Sequence, residues 1–110
     1  MLPENLRLDK KEIPEIARRG KKFSGELFDI KVWYDDSLEN SKFAIAVSLK
    51  VDKRSTVRNR IKRVFRAAIV ELEKEGKFRR GKYLFVVKDS KIQEYLVKDL
   101  VTIVNLNFEK

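Results

Sequence analysis

The chain has 110 residues, with 26 Lys and Arg against 17 Asp and Glu, which gives a formal net charge of +9. This length predicts a single domain over residues 1–110 with a modest hydrophobic core. Because the sequence has no cysteine and no histidine, it excludes disulfides, thiolate metal sites and the commonest general base. No 18-residue apolar run and no signal-peptide core are present, so we expect a soluble, cytoplasmic protein without a membrane partner.

The N-terminal part predicts one short helix and, after it, a strand. A helix over residues 9–19 has Asp9 as its candidate N-cap and Gly20 as its stop, and Pro14 keeps it short or displaced. Residues 26–34 then alternate between an apolar face and a face that carries Lys31 and Trp33. This alternation predicts a strand with one wet or ligand-facing side.

The next strand, predicted over residues 42–51, separates large from small side chains. Its core face carries the large apolar residues Phe43, Ile45, Val47, Leu49 and Val51. Ala44 and Ala46 lie on the other face, where they either leave a floor for another chain or accommodate a neighbouring helix. A further strand follows Gly81, and residues 90–105 predict a final amphipathic helix that includes Leu96.

Residues 50–66 hold most of the net charge, because eight Lys or Arg and one acid give +7 in seventeen residues. We predict a helix that is capped by Ser55 or Thr56 and stops at Gly76. Its apolar arc is formed by Val57, Ile61, Val64, Phe65, Ala68 and Leu72. Its opposite face is basic and polar, and consists of Arg58, Asn59, Arg60, Lys62, Arg63 and Arg66.

This charge arrangement indicates a nucleic-acid surface rather than an ordinary solvated face. Basic residues at the helix start and acids at its end oppose the helix dipole, and no acid stands four residues from the basic cluster. Such a face suits the phosphates of a nucleic acid. The complete element order, α–β–β–β–α–β–α, predicts an α+β protein with helices packed on a four-stranded sheet.

At this point the sequence resembles a known family. AVSLKV, a short loop and TVRNRIKRVFRAA are similar to the signature of the bacterial ribonuclease P protein subunit, V-S-x-K followed by R-N-x-x-K-R-x-x-R. Five residues match the second motif and Arg60 completes its usual R-N-R; the five are Arg58, Asn59, Lys62, Arg63 and Arg66. The chain departs from the family at Ile13 and Ala17, where phenylalanines are frequent, and near Asp52, where a glycine is common.

The resemblance implies a fold like domain 2 of ribosomal protein S5, with a left-handed βαβ crossover. It also implies two partners, the catalytic RNA of ribonuclease P and the precursor tRNA whose 5′ leader is removed, and no protein partner. The basic helix would meet the catalytic RNA, and a cleft between the first helix and the sheet would hold the leader. The candidate leader-binding residues are Phe28, Lys31, Trp33, Ser48, Lys50, Lys53 and Arg54.

The residue types favour a non-catalytic role for the chain inside such an endoribonuclease. Without histidine, and with Asp35-Asp36 as the one adjacent carboxylate pair, no catalytic residues and no protein metal site are predicted. Cleavage is expected from the RNA subunit and its Mg²⁺. The alternative is a structural RNA-binding protein of ribosomal type with the same fold.

Overall fold

The computed structural model describes residues 2–108, so Met1, Glu109 and Lys110 of the predicted domain lie outside the described residues. Within this part of the chain the helices are α1 (Ile13–Arg19), α2 (Ser55–Lys74) and α3 (Val97–Phe108). The strands are β1 (Lys21–Phe23), β2 (Phe28–Tyr34), β3 (Lys42–Ala46) and β4 (Gly81–Val87). Short 3₁₀ helices cover Glu4–Leu6, Lys10–Glu12 and Ser90–Glu94. The predicted α+β class and element order are confirmed.

The four strands form one mixed sheet in the order β1-β2-β4-β3. β2 runs antiparallel to β1 and β4, whereas β3 and β4 are parallel. Parallel neighbours need a crossover connection, and α2 supplies it. The β3–α2–β4 unit is therefore a βαβ crossover.

The main core lies between α2 and one face of the sheet. Phe65 of α2 is fully buried and packs edge-on against Phe28, with ring centroids 5.0 Å apart, and against Phe85 at 5.6 Å. The predicted apolar arc of α2 faces this core. Gly76 has φ +67°, and Lys77 N–H donates to the Leu72 carbonyl at 3.1 Å, which closes the helix as predicted.

The opposite face of the sheet carries α1. Leu8, Ile16 and Leu84 form a second small cluster, against which Ala44 and Ala46 pack. Ala44 also lines an open groove beside β3, so the structure shows both a neighbouring helix and an accessible floor at this face. The Asp9 carboxylate accepts the Lys11 N–H at 2.9 Å, which caps the 3₁₀ turn that precedes α1.

Gly20 directly follows α1, at a position where the surrounding backbone leaves no room for a side chain. A Cβ atom at this position would lie 2.6 Å from the Ile16 carbonyl oxygen and 3.2 Å from the Val32 nitrogen. The absence of a side chain therefore allows the chain to turn directly from α1 into β1.

The end of β3 and the N-terminal cap of α2 differ from the predictions. β3 stops at Ala46, which pairs with Val86. Because β4 ends at Val87, the chain beyond position 47 has no residue of β4 to pair with. Leu49, predicted on the core face, is consequently 64% exposed. α2 begins without a side-chain cap, so the predicted capping by Ser55 or Thr56 is wrong.

The predicted helix over residues 90–105 is divided in two. Tyr95 has extended backbone angles, φ −84° and ψ 143°, between the 3₁₀ turn Ser90–Glu94 and α3. This break changes the angular position of the residues around it. Leu96, expected in the core, is 61% exposed, whereas Ile92, Leu100 and Val104 are fully buried as predicted.

Candidate nucleic-acid interface

The basic face of α2 lies on the side of the helix opposite its buried arc. Asn59, Arg60 and Arg63 are exposed, and Arg58, Lys62 and Arg66 are half-buried. Within residues 2–108 none of these side chains forms an ion pair with an acid. The predicted concentration of uncompensated positive charge is therefore present on the folded surface, where it favours polyanions.

Arg58 differs from the other basic residues because it also holds the loop before the helix. Its Nη1 donates to the carbonyls of Asp52 at 3.1 Å and Lys53 at 2.9 Å. Arg54 donates from Nε and Nη2 to the two carboxylate oxygens of Asp52, at 3.1 and 3.0 Å. These hydrogen bonds from Arg54 lower the pKa of Asp52 to about 2. The loop is thus attached to the N-terminal end of α2 by charged contacts.

Grooves run along both flanks of the basic face. On one flank a groove of about 420 Å³ lies against β3 and is lined by Lys62 and Arg66 together with Arg7 and Lys10. On the other flank two adjoining cavities of about 360 and 310 Å³ lie between α2 and the chain that leads into α3. The basic surface is therefore wider than the helix itself.

The fold brings to these grooves three residues that were not predicted as part of the site. Arg7 and Lys10 reach the first groove because the Leu8 N–H donates to the Phe43 carbonyl at 2.9 Å, which fixes the N-terminal segment beside β3. Gln93 lines both cavities on the other flank. No local pattern of charge or hydropathy distinguishes these three residues in the sequence.

The two candidate leader-binding aromatics occupy opposite faces of β2. Phe28 is 1% exposed and lies in the main core under α2, so the expectation that it faces a ligand is corrected. Trp33 is 43% exposed and lies on the other face, paired in register with Lys82. Alternation along the strand correctly separated these faces, but burial beneath α2 removes Phe28 from the surface.

The other leader-binding candidates fall into two separate groups. Ser48, Lys50, Lys53 and Arg54 are all exposed in the loop between β3 and α2. Lys31 lies on the α1 side of the sheet, and its Nζ donates to the Ala17 carbonyl near the C-terminal end of α1.

The register keeps Trp33 away from the loop group. Trp33 pairs with Lys82, whereas Ala46, at the end of β3 that leads into the loop, pairs with Val86. Four residues along a strand correspond to about 13 Å. The fold therefore brings the loop residues together but leaves Trp33 apart from them.

The described residues contain neither a metal-binding cluster of acidic side chains nor a membrane-spanning helix. No group of three or more Asp or Glu side chains there could hold a metal ion. The Asp35 carboxylate instead accepts the Ser37 N–H at 3.0 Å, and Asp36 faces Arg79 at 3.7 Å. No helix within residues 2–108 is long and apolar enough to cross a membrane.

Sequence comparisons identify the family. Residues 2–105 match the family model described as Ribonuclease P. A ribonuclease P protein component from Synechocystis is 39% identical over 69 residues, which cover 62% of this chain and 56% of that protein. One from Synechococcus elongatus is 37% identical over 76 residues, covering 64% and 62%. The chain thus matches less than two thirds of the length of these curated relatives.

Solved structures agree with the fold. The RNase P protein from Thermotoga maritima superposes with a TM-score of 0.75 at 20% identity, over 94% of this chain and 96% of that one. The RNase P protein from Staphylococcus aureus gives 0.74 at 13% identity, over 94% and 93%. Fold and site thus define a small α+β protein with one uncompensated basic helix. The chain belongs to the Ribonuclease P family.

Proposed function

We propose that the chain is the protein subunit of ribonuclease P and that it binds the catalytic RNA through the basic face of α2. The observation that carries this proposal is the set of cations on α2 that have no acidic partner within the described chain, in a protein of this family. Arginine forks bridge two phosphate oxygens, and Lys62 acts as a point charge beside them. The alternative remains a structural RNA-binding protein on the same fold.

The chain's contribution to cleavage is electrostatic and positional. Cations on α2 neutralise phosphates that would otherwise require Mg²⁺, so the complex folds and cleaves at a lower Mg²⁺ concentration. The RNA subunit, with its Mg²⁺, hydrolyses the phosphodiester at the 5′ end of the tRNA. Precursor tRNA is the substrate, and no side chain of this protein carries out the reaction.

The leader of the precursor tRNA is assigned to two exposed parts of the surface. Ser48, Lys50, Lys53 and Arg54 form a basic loop that continues the face of α2, which suits the backbone of a single strand. Trp33 offers an exposed ring on which a base can stack, on the face of the sheet that also carries α1. Phe28 has no part in this proposal because its side chain is buried.

Cleavage of labelled precursor tRNA by a bacterial ribonuclease P RNA at low Mg²⁺ tests the proposal. We expect cleavage at the mature 5′ end when the protein is added and little without it. Lys62→Ala combined with Arg66→Ala should reduce this stimulation, and these positions are preferred because Arg58 also holds the loop. Lys74→Ala with Lys77→Ala is the matched control, since it removes the same charge from exposed positions about 12 Å or more along the chain from Arg66.

Three results would contradict the proposal. An equal Mg²⁺ requirement with and without protein would remove the electrostatic role. Tight RNA binding without any stimulation of cleavage would favour the structural RNA-binding alternative. An equal loss in both double variants would mean that total charge, rather than the α2 face, determines activity.

A further inference from the structure

We propose that the cleft between α2 and the segment leading into α3 is a binding site for a single unstacked nucleotide. Its phosphate would lie among arginines and its base on an apolar floor. The inference rests on the proposed function, because the nucleotide would belong to the RNA that the basic face of α2 binds. Arg60 and Arg63 belong to the predicted basic face, whereas the apolar floor and Gln93 do not.

One cavity of this cleft is lined mainly by polar and charged groups and the other mainly by apolar groups, as a phosphate and a base would require. Both are lined by Arg60, Arg63 and Gln93. The cavity of about 360 Å³ continues towards the start of α2, where Arg54 and Thr56 line it. The cavity of about 310 Å³ continues along the helix over apolar side chains. Charge at one end and an apolar surface at the other match a phosphate joined to a base.

The charged end is suited to a phosphate. Arg60 and Arg63 have no ion pair within the described part of the chain, and none of the described residues that line the two cavities is acidic. Arg54 already donates from Nε and Nη2 to Asp52, so only its remaining N–H groups can contact a phosphate. The positive end of the α2 dipole lies here, and no side-chain cap occupies the first N–H groups of the helix.

The apolar end is suited to a base. Val64, Ala67 and Val97 form its floor, and Ala67 is small enough to leave the space open. The planar guanidinium groups of the arginines beside it can stack on an aromatic ring. The Gln93 amide has a donor and an acceptor, forms no hydrogen bond within the described residues, and is therefore available to the edge of a base.

These features select an unpaired nucleotide. A base inside a duplex has its pairing edge occupied and its faces stacked, whereas sequence-specific RNA recognition usually uses unstacked bases. Each cavity has a volume near the lower end of the range for small-molecule sites, so the two together provide space for one nucleotide with its phosphate and its base.

Nuclear magnetic resonance of the ¹⁵N-labelled full chain tests the site without any RNA subunit. The chain is titrated with uridine 5′-monophosphate, adenosine 5′-monophosphate, ribose 5-phosphate and inorganic phosphate. We expect the Gln93 side-chain amide to shift, and a nucleotide to bind about tenfold more tightly than ribose 5-phosphate because the base adds stacking. Ala67→Leu should abolish this tenfold difference by filling the floor, and Ala67→Ser, which keeps the space, should preserve it.

Equal affinities for nucleotide and ribose 5-phosphate, or shifts confined to the groove near Arg7, would overturn the proposal. If Ala67→Leu loses its native spectrum, Val97→Phe replaces it as the variant that fills the floor. Because the protein has no cysteine, Lys98→Cys can carry a photo-crosslinker beside the cleft in the complex with the catalytic RNA. Crosslinks to unpaired nucleotides would support an unpaired nucleotide of the RNA as the ligand. Crosslinks confined to base-paired nucleotides would overturn that assignment and favour a free nucleotide.

Failure of this inference is distinguishable from failure of the proposed function. Precursor cleavage that depends on the protein, together with no preference for nucleotide over ribose 5-phosphate, would overturn the nucleotide site alone. Nucleotide binding without any stimulation of cleavage would instead overturn the role in ribonuclease P.

Discussion

Replacement of Arg63 by alanine separates the electrostatic part of the proposed RNA binding from the stability of the fold. Arg63 is exposed and has no ion pair within the described chain, so its removal leaves no buried charge unpaired. Alanine is also the best helix former, which preserves α2. Any change in RNA affinity then reports the contact with RNA rather than unfolding.

The expected magnitude follows from counterion release. Each phosphate contact contributes about −0.7 to −0.9 to the slope of log K against log salt. Arg60, Lys62, Arg63 and Arg66 have no acidic partner within residues 2–108, so one contact each gives a slope of about −3 to −4 from α2 alone. Between 50 and 200 mM salt, loss of one contact should reduce the fall in affinity by a factor of about 3.

The assay is binding of the catalytic RNA over a range of KCl concentrations, with wild type, Arg63→Ala and Arg19→Ala. Arg19 is an exposed arginine on α1, across the sheet from α2, and is paired with Glu15 at 3.6 Å. We expect the slope to become less steep by nearly one unit for Arg63→Ala and to change little for Arg19→Ala. An unchanged slope for Arg63→Ala, or the same change in both variants, would refute the reasoning.

Two further predictions concern the fold. Phe65→Ala should destabilise the protein by about 3–5 kcal/mol, because a fully buried ring and its edge-on contact with Phe28 are lost. Phe65→Leu should destabilise it clearly less. Urea unfolding measures both variants, and an alanine variant as stable as wild type would contradict the packing. Burial alone would raise the pKa of Asp29, but hydrogen bonds from Lys88 and Gly25 and the charges of Lys88 and Lys22 lower it overall. Because the folded pKa lies below the unfolded one, the carboxylate stabilises the fold above the ordinary carboxyl range, and this stabilisation disappears as the pH falls through the folded value. Asp29→Asn should therefore be less stable than wild type at pH 7 and equally stable in strong acid; a pH-independent difference in unfolding free energy would count against the ion pairs at 3.1 and 3.7 Å.

Local features of the structure were the most predictable. α2 is long, its apolar residues repeat with helical periodicity, and Gly76 adopts the positive φ that a helix end favours, so its course and end follow from the chain itself. Its charge segregation is also a property of consecutive residues. The end of β3 was mispredicted because a strand continues only where a partner exists, and β4 ends at Val87.

The candidate site was predictable in part for the same reason. The six residues of the basic face share one helix, so periodicity alone groups them. Gln93 follows Arg63 by thirty positions in the sequence, and their proximity depends on how the chain returns from β4 to α2. The loop residues Ser48 and Lys50 were candidates for the same leader-binding surface as Trp33, but the registers of β2 and β3 with β4 separate them.

The α+β class, the basic helix and the family were predictable without the structure, because each depends on the order and spacing of neighbouring residues. Tertiary structure decided which face of the sheet each helix covers, and this distinguishes buried Phe28 from exposed Trp33. Alternation along a strand defines two faces but does not state which one a distant helix will bury. The clefts beside α2 depend on the same long-range packing, so they exist only in the folded chain.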